Sequence, residues 1–80
     1  MIKYIYQSET GRNYRLSEDA ELNIGRAYDN DIVVQDAAVS RHHASVGMKG
    51  GRVYVKDMQS TNGTAVNGET IIFRRLPACK

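Results

Sequence analysis

The stretch GRAYDNDIVVQDAAVSRHHASV, residues 25–46, contains the patterns that decide how this chain folds. It opens on a Gly-Arg pair, continues into a β-branched run at residues 32–34, and reaches a second apolar run after two histidines. Short β-branched runs separated by Gly, Asn, Asp and Ser are typical of strands joined by loops. The stretch therefore predicts β-structure with polar loops that carry Arg, Ser and His side chains.

The same pattern continues along the chain in both directions. Helical periodicity is poor, and β-branched or aromatic runs recur at intervals of about 8 to 12 residues, as in sandwiches and barrels. Gly50-Gly51 and Asn67-Gly68 tolerate the positive φ of tight turns and predict two hairpins. We expect an all-β fold with strands at residues 2–7, 13–16, 21–25, 31–35, 43–48, 52–57, 64–67 and 70–74.

Length and composition limit the class of protein. Eighty residues form one domain, residues 1–80, with a small core. The net charge of +2 is spread along the chain, which argues against a nucleic-acid tail or a membrane-surface helix. No secretion signal and no apolar run of roughly 20 residues is visible, so we expect a cytoplasmic protein. The one cysteine, Cys79, excludes an intramolecular disulfide and is not expected to be catalytic.

A second polar stretch, DMQSTNGTAVNG at residues 57–68, completes a candidate site. Loops at one end of a sandwich converge, and the loops after Ile24, around Ser40 and around Asn62 are candidates to share an end. A planar guanidinium and short hydroxyls suit a phosphate group, and an amide offers the donor and the acceptor that hold a peptide main chain. The sequence thus predicts an anion site beside a peptide clamp, built from Arg26, Ser40, Arg41, Thr61 and Asn62.

Four motifs, GR at 25–26, DNDIVVQD at 29–36, VSRHHA at 39–44 and DMQSTNGTAVNG at 57–68, resemble the successive motifs of the forkhead-associated (FHA) domain. The resemblance covers residues 2–76. It implies a β-sandwich of about eleven strands whose loops bind phosphothreonine in a partner protein, in Ser/Thr kinase signalling. It implies neither a cofactor nor catalysis.

The resemblance also implies a role for individual residues. Arg26 and Ser40 match the phosphate ligands of the family, and Arg41 and Thr61 match positions that assist them. Asn62 matches the residue that holds the peptide main chain. The remaining matches are framework positions, at which glycines permit the loop conformations and the histidine braces the Ser40 loop from inside: Gly25, His43 and Gly63.

The chain departs from the family after the VNG hairpin. A typical member continues into two further strands, whereas this sequence stops at RRLPACK. Because those strands pair with the N-terminal strand, the resemblance predicts that residues 2–7 have an unpaired edge that favours association with another chain. We therefore expect an FHA-type sandwich that lacks its last two strands.

Other functions fit the residues less well. A hydrolase with Ser40, His43 and either Asp36 or Asp57 lacks the GxSxG elbow, so we expect no enzyme. A nucleic-acid binder agrees with the isoelectric point of about 8.9 but lacks a stacking motif. Adjacent His42 and His43 are expected to point apart, so no metal site is predicted. An FHA fold used for phosphate-independent assembly stays open, and Ala37-Ala38 favours a small or apolar residue downstream of the phosphothreonine.

Overall fold

The computed structural model of the chain describes residues 3–76 and is built from β-strands. Within those residues no helix is long and apolar enough to span a membrane. The all-β prediction is confirmed. Nine strands follow one another along the chain: β1 Lys3–Gln7, β2 Arg12–Leu16, β3 Glu21–Gly25, β4 Ile32–Val33, β5 Ala44–Lys49, β6 Arg52–Asp57, β7 Thr64–Val66, β8 Glu69–Ile71 and β9 Phe73–Arg75. Residue 2, at the start of the first predicted strand, and Cys79 lie outside the described residues.

The strands form one five-stranded sheet, in the order β4-β3-β5-β6-β9, and two hairpins, β1-β2 and β7-β8. All pairs are antiparallel except β3 with β4. Both predicted hairpins are present, and the paired residues of their turns have positive φ, 61° and 74° at Gly50 and Gly51, and 52° and 85° at Asn67 and Gly68. A third hairpin, which the sequence analysis did not predict, joins β1 to β2 through Gly11 at φ 74°.

The core lies between the β1-β2 hairpin and one face of the five-stranded sheet. Its buried centre consists of Leu16, Val46 and Met48. In the sheet, Leu22, Val46 and Val55 are register partners across β3, β5 and β6, so their side chains share one face. That shared face explains why the alternate residues of these strands pack together against the hairpin. The partly buried residues around the centre are Ile5, Leu22, Ile24, Val53 and Val55.

Three expectations about strand bounds were wrong. Residues 70–74 are not one strand, because the chain turns at Ile72, whose carbonyl accepts the N–H of Asp57 at 2.8 Å. Residues 31–35 shorten to the two residues of β4, because Asp36 N–H turns back to Val34 O at 3.1 Å. The third difference is that β5 begins at Ala44, so both histidines lie in the preceding loop.

Candidate functional site

Three loops meet at the end of the sheet where β3 and β6 finish and β5 begins. They comprise residues 26–31, 34–43 and 58–63. The first two are joined through the main chain, since Arg26 N–H donates to Ser40 O at 3.0 Å and Ala27 N–H donates to Arg41 O at 3.1 Å. The third joins them through a side chain, since Thr61 N–H donates to Ser40 Oγ at 3.0 Å. The structure therefore brings together all five residues that the sequence analysis nominated as ligand contacts.

Arg26 is the exposed cation of the first loop. Its Nε donates to the carbonyl of Val39 at 3.0 Å, which orients the guanidinium over the second loop. Within residues 3–76 its terminal nitrogens donate to no protein group, so two N–H₂ groups point outward with their donors unused. This geometry suits an anion with several acceptor oxygens.

Ser40 and Asn62 face the same region from the other two loops. Because Ser40 Oγ accepts the Thr61 amide, its own O–H proton is available to donate to a ligand. Asn62 is exposed, and its Nδ2 donates to Ala38 O at 2.7 Å, which ties the third loop to the second. The amide oxygen of Asn62 makes no hydrogen bond within the described chain. Thr61 is also exposed, and its hydroxyl forms no hydrogen bond within residues 3–76.

Arg41 contributes to the site through its main chain. Its carbonyl accepts hydrogen bonds from Ala27 N–H and from the side chain of Asn30. The Arg41 guanidinium is exposed and forms no ion pair or hydrogen bond within residues 3–76. The neighbouring His42 is also exposed, and its Nε2 lies 3.0 Å from Asp29 Oδ1. Arg41 is thus a free cation beside Ser40.

His43 lies beneath the loops and bonds to two of them. Its Nδ1 accepts the N–H of Ser40 at 3.0 Å, and its Nε2 lies 2.8 Å from the carbonyl of Gly63. Because a carbonyl can only accept, Nε2 carries the proton and the ring is the neutral tautomer. The carbonyl of His43 also accepts Met58 N–H at 2.9 Å. One imidazole therefore determines the spacing between the Ser40 loop and the Gly63 loop.

Asp57 organises the third loop from the end of β6. Its carboxylate accepts the Ser60 hydroxyl, the Ser60 N–H at 3.2 Å and the Thr64 hydroxyl at 2.7 Å. The hydrogen bonds from Ser60 and Thr64 lower the pKa of Asp57, so this side chain is a carboxylate at neutral pH. The sequence analysis considered Asp57 only as a member of a hydrolase triad.

The side chains do not form a hydrolase triad. His43 Nδ1 bonds to the main-chain N–H of Ser40 and not to its hydroxyl, and both ring nitrogens already have partners. The carboxylate of Asp36 accepts Ala38 N–H at 2.8 Å instead of a histidine. Within residues 3–76, no group of three or more His, Cys, Asp and Glu side chains is placed to hold a metal ion.

Asn30 was not among the site residues predicted from the sequence. Asn30 is 7% exposed, and its Nδ2 donates to Ala27 O at 2.7 Å and to Arg41 O at 2.8 Å. Its amide therefore crosses from the first loop to the second. An asparagine between two aspartates is typical of an exposed turn, so nothing in the local sequence indicated this burial.

The two framework glycines are required for different reasons. Gly63 has φ 83°, a left-handed conformation that favours glycine. Gly25 does not have a positive φ; a Cβ on it would lie 2.2 Å from the carbonyl oxygen of Arg41. Gly25 therefore supports the loops through the close approach of two main chains, which its missing side chain permits.

The chain is similar to known proteins. The family model of the FHA domain matches residues 22–78. The transcriptional regulatory protein EmbR of Mycobacterium tuberculosis is 41% identical over 70 residues, which are 88% of this chain and 18% of EmbR. The chain thus spans less than a fifth of that relative's length.

Solved structures give the same result. The structure of M. tuberculosis EmbR in complex with a low-affinity phosphopeptide matches with a TM-score of 0.82 and 39% identity, over 95% of this chain and 20% of that one. A structure from a structural and functional analysis of phosphothreonine-dependent FHA domain interactions matches with a TM-score of 0.77 and 32% identity. That second match covers 95% of this chain and 76% of the other.

Proposed function

This chain belongs to the FHA domain family, whose members are binding modules and not enzymes, and we propose that it binds phosphothreonine segments of partner proteins in Ser/Thr kinase signalling. The observation that carries the proposal is the meeting of the three loops. It presents the free N–H groups of Arg26 and the hydroxyl of Ser40 in one exposed region. The two groups lie on different loops, at residues 26–31 and 34–43.

The phosphate is assigned to Arg26 and Ser40. A phosphothreonine carries a charge of about −1.5 to −2 and three acceptor oxygens. The planar fork of Arg26 matches two such oxygens, and the Ser40 hydroxyl supplies a further donor. Arg41 and the Thr61 hydroxyl, which have no other partner among the described residues, assist as a second cation and a further donor.

The peptide main chain is assigned to Asn62. Its amide oxygen and its second N–H hydrogen are unused, so it can accept from a peptide N–H and donate to a peptide carbonyl. Its bond to Ala38 O holds it in place before the ligand arrives, which lowers the entropy cost of binding. Gly25, His43 and Gly63 hold the loops and are not expected to touch the ligand.

The relatives support phosphopeptide binding as the function. EmbR binds a phosphopeptide in its solved structure, and the second structure comes from work on phosphothreonine-dependent interactions. The alternative function is an FHA fold that binds its partner without phosphate. The two functions differ in whether the affinity for the partner depends on its phosphorylation and on Arg26.

Fluorescence anisotropy separates these functions. We would titrate the chain into an oriented library of phosphothreonine peptides, with phosphoserine and unphosphorylated peptides as controls. We expect a micromolar Kd, about −8 kcal/mol, for phosphothreonine alone. Arg26→Ala should weaken binding by about thirtyfold, since hydrogen bonds to charged groups contribute more than neutral ones. Ser40→Ala should weaken it less, and Arg75→Ala, which removes an exposed charge on β9, should leave it unchanged.

Two results would contradict the proposal. Equal affinity for phosphorylated and unphosphorylated peptides would favour phosphate-independent assembly. An unchanged affinity in Arg26→Ala would show that the phosphate lies elsewhere.

The proposal includes self-association through β1. Among residues 3–76, β1 pairs only with β2, so its other edge has unpaired main-chain groups. Open strand edges pair with other chains, and we propose that the chain pairing with β1 is a second copy of this protein. Light scattering across a dilution series tests this, with Tyr4→Lys placed on β1 as an edge-blocking variant. A monomer at every concentration would contradict it.

A further inference from the structure

A groove lies between the tip of the β1-β2 hairpin and the open edge of β4. Its volume is about 820 Å³, and its walls include Gln7, Arg12 and Tyr14 on one side and Tyr28, Val33 and Gln35 on the other. A second depression, of about 420 Å³, reaches from Tyr28 and Gln35 to Arg26. Tyr28 and Gln35 line both depressions, so the groove adjoins the depression that reaches Arg26 of the phosphate site proposed above.

The walls of the groove are held together before any ligand binds. Gln7 joins the hairpin to the sheet, because its Nε2 donates to Val33 O at 3.3 Å and its Oε1 accepts the hydroxyl of Tyr14 at 2.9 Å. At the junction with the second depression, Gln35 Nε2 donates to the Tyr28 hydroxyl at 2.6 Å. Tyr28 is 82% exposed, so its ring offers an open surface to an extended chain. A prebuilt groove binds at a lower ordering cost than a mobile one.

Arg12 is the cation among the residues that line this groove. Its exposed guanidinium forms no ion pair and no hydrogen bond within residues 3–76. Two carboxylates also line the groove, but each already accepts a hydrogen bond. Asp31 accepts Asn23 N–H at 2.8 Å, and Glu9 accepts Gln7 Nε2 at 3.4 Å. Neither carboxylate forms an ion pair within residues 3–76, but each has a hydrogen-bond donor, whereas the five side-chain donors of Arg12 have no acceptor there. An acidic side chain satisfies such donors.

We infer that one flank of the bound phosphothreonine peptide runs from Arg26 over Tyr28 into this groove, where Arg12 selects an acidic side chain. The inference rests on the proposed function and adds a second recognition point to it. An extended chain advances about 3.3 Å per residue, so the test scans the acidic residue over the third to sixth positions from the phosphothreonine. Because Arg12 is exposed, its contact adds selectivity more than affinity.

Peptides of different length test the inference. The core peptide has phosphothreonine with two residues on each side. Two series of longer peptides extend it by six alanines, one series on the N-terminal side and one on the C-terminal side. Within each series, Asp replaces the third, fourth, fifth or sixth residue counted from the phosphothreonine. Matched peptides carry Lys in place of Asp. We measure each Kd by anisotropy for the parent chain, Arg12→Gln and Tyr28→Ala, and use Arg15→Gln, an exposed β2 arginine outside the groove, as control.

We expect one of the two extensions to bind about fivefold more tightly than the core peptide when it carries Asp. For each variant we compare its affinity for the extended Asp peptide with its affinity for the core peptide. This ratio cancels any general effect of a substitution on binding. Arg12→Gln should reduce the ratio to one, Tyr28→Ala should lower it, and Arg15→Gln should leave it unchanged.

Three outcomes would overturn the inference while leaving the proposed function intact: no gain from either extension, a gain that survives Arg12→Gln, or tighter binding of the Lys peptides. A folded chain that fails to bind the core peptide would overturn the proposed function itself, and this inference with it. Circular dichroism of each variant verifies that it is folded.

Discussion

The two ends of the five-stranded sheet are held by different means. At the end with the three loops, side chains cross between loops that are distant in sequence, as His43 does between Ser40 and Gly63. At the opposite end, β5 and β6 are joined by a two-residue turn whose glycines have positive φ. One side chain, Glu18, reaches that turn, and its carboxylate accepts the N–H groups of Gly50 and Gly51.

The difference between the two ends shows that a binding site needs more long-range contacts than a turn. A tight turn needs only the backbone preference of its own residues. A site that collects a guanidinium, a hydroxyl and an amide from three loops needs long-range contacts to hold each loop. Substitutions at the loop end should therefore alter stability and ligand affinity together, whereas substitutions at the turn end should alter stability alone.

The largest effect is expected from Gly25→Ala. The new Cβ would lie 2.2 Å from Arg41 O, so the paired main chains of the first two loops must separate. We expect a loss of about 3 kcal/mol in the free energy of unfolding, together with loss of phosphopeptide binding. Gly50→Ala is the matched change at the turn end, where no atom lies within 4 Å of the new Cβ. Its left-handed φ costs about 1 kcal/mol, and binding should persist.

We would measure the free energy of unfolding of Gly25→Ala and Gly50→Ala by urea denaturation, and their phosphopeptide affinity by anisotropy titration. Equal destabilisation by the two substitutions, or retained binding in Gly25→Ala, would show that the loop end is not held by this close approach.

Asn30→Ala should have the next largest effect. It removes the side-chain hydrogen bonds to Ala27 O and Arg41 O and leaves each carbonyl with its main-chain donor alone, at a cost of about 2 kcal/mol. Affinity for a phosphothreonine peptide should fall too, because Arg26 and Arg41 flank these carbonyls. Asn13→Ala, on an exposed position of β2, is the control and should be neutral. Faster hydrogen exchange at the amides of Arg26 and Ala27 would identify the loosened loop; unchanged exchange would contradict the role given to Asn30.

Asp57→Asn should have a moderate effect on the third loop. The amide cannot accept all three of the hydrogen bonds that the carboxylate accepts from Ser60 and Thr64. We expect phosphopeptide affinity to fall about threefold, because Thr61 and Asn62 lie in this loop. The lowered pKa of Asp57 stabilises the folded state at neutral pH, and that contribution is lost as the pH falls below about 4. Denaturation from pH 7 to pH 3 should therefore show a weaker acid dependence in Asp57→Asn than in the parent.

Glu18→Gln should have the smallest effect, and on stability only. The amides of Gly51 and Gly50 lower the pKa of Glu18, so its stabilising contribution is present at neutral pH and lost as the carboxylate is protonated below about pH 4. We expect a slightly lower Tm than that of the parent at pH 7, a difference that shrinks as the pH is lowered towards 3, and unchanged peptide affinity. A change in affinity would show that the two ends are coupled.

The sequence predicted much of the candidate site because its motifs are local. Arg26, Ser40, Arg41, Thr61 and Asn62 were nominated from short polar stretches, and the structure places them on three meeting loops. It did not predict what holds those loops. Asn30 and Asp57 act through partners up to eleven residues away, and a pattern of residue types does not specify such partners.

The sequence by itself determined the all-β class and two of the hairpin turns, because strand alternation and positive-φ residues act over a few neighbouring positions. Only the tertiary structure decided that the chain turns at Ile72 to divide one predicted strand into β8 and β9, and that Gly25 is needed for a close approach. It also decided that Asn30 is buried. Each of these depends on a main-chain group brought near by the folding of a distant segment, and local residue preferences contain no information about such a neighbour.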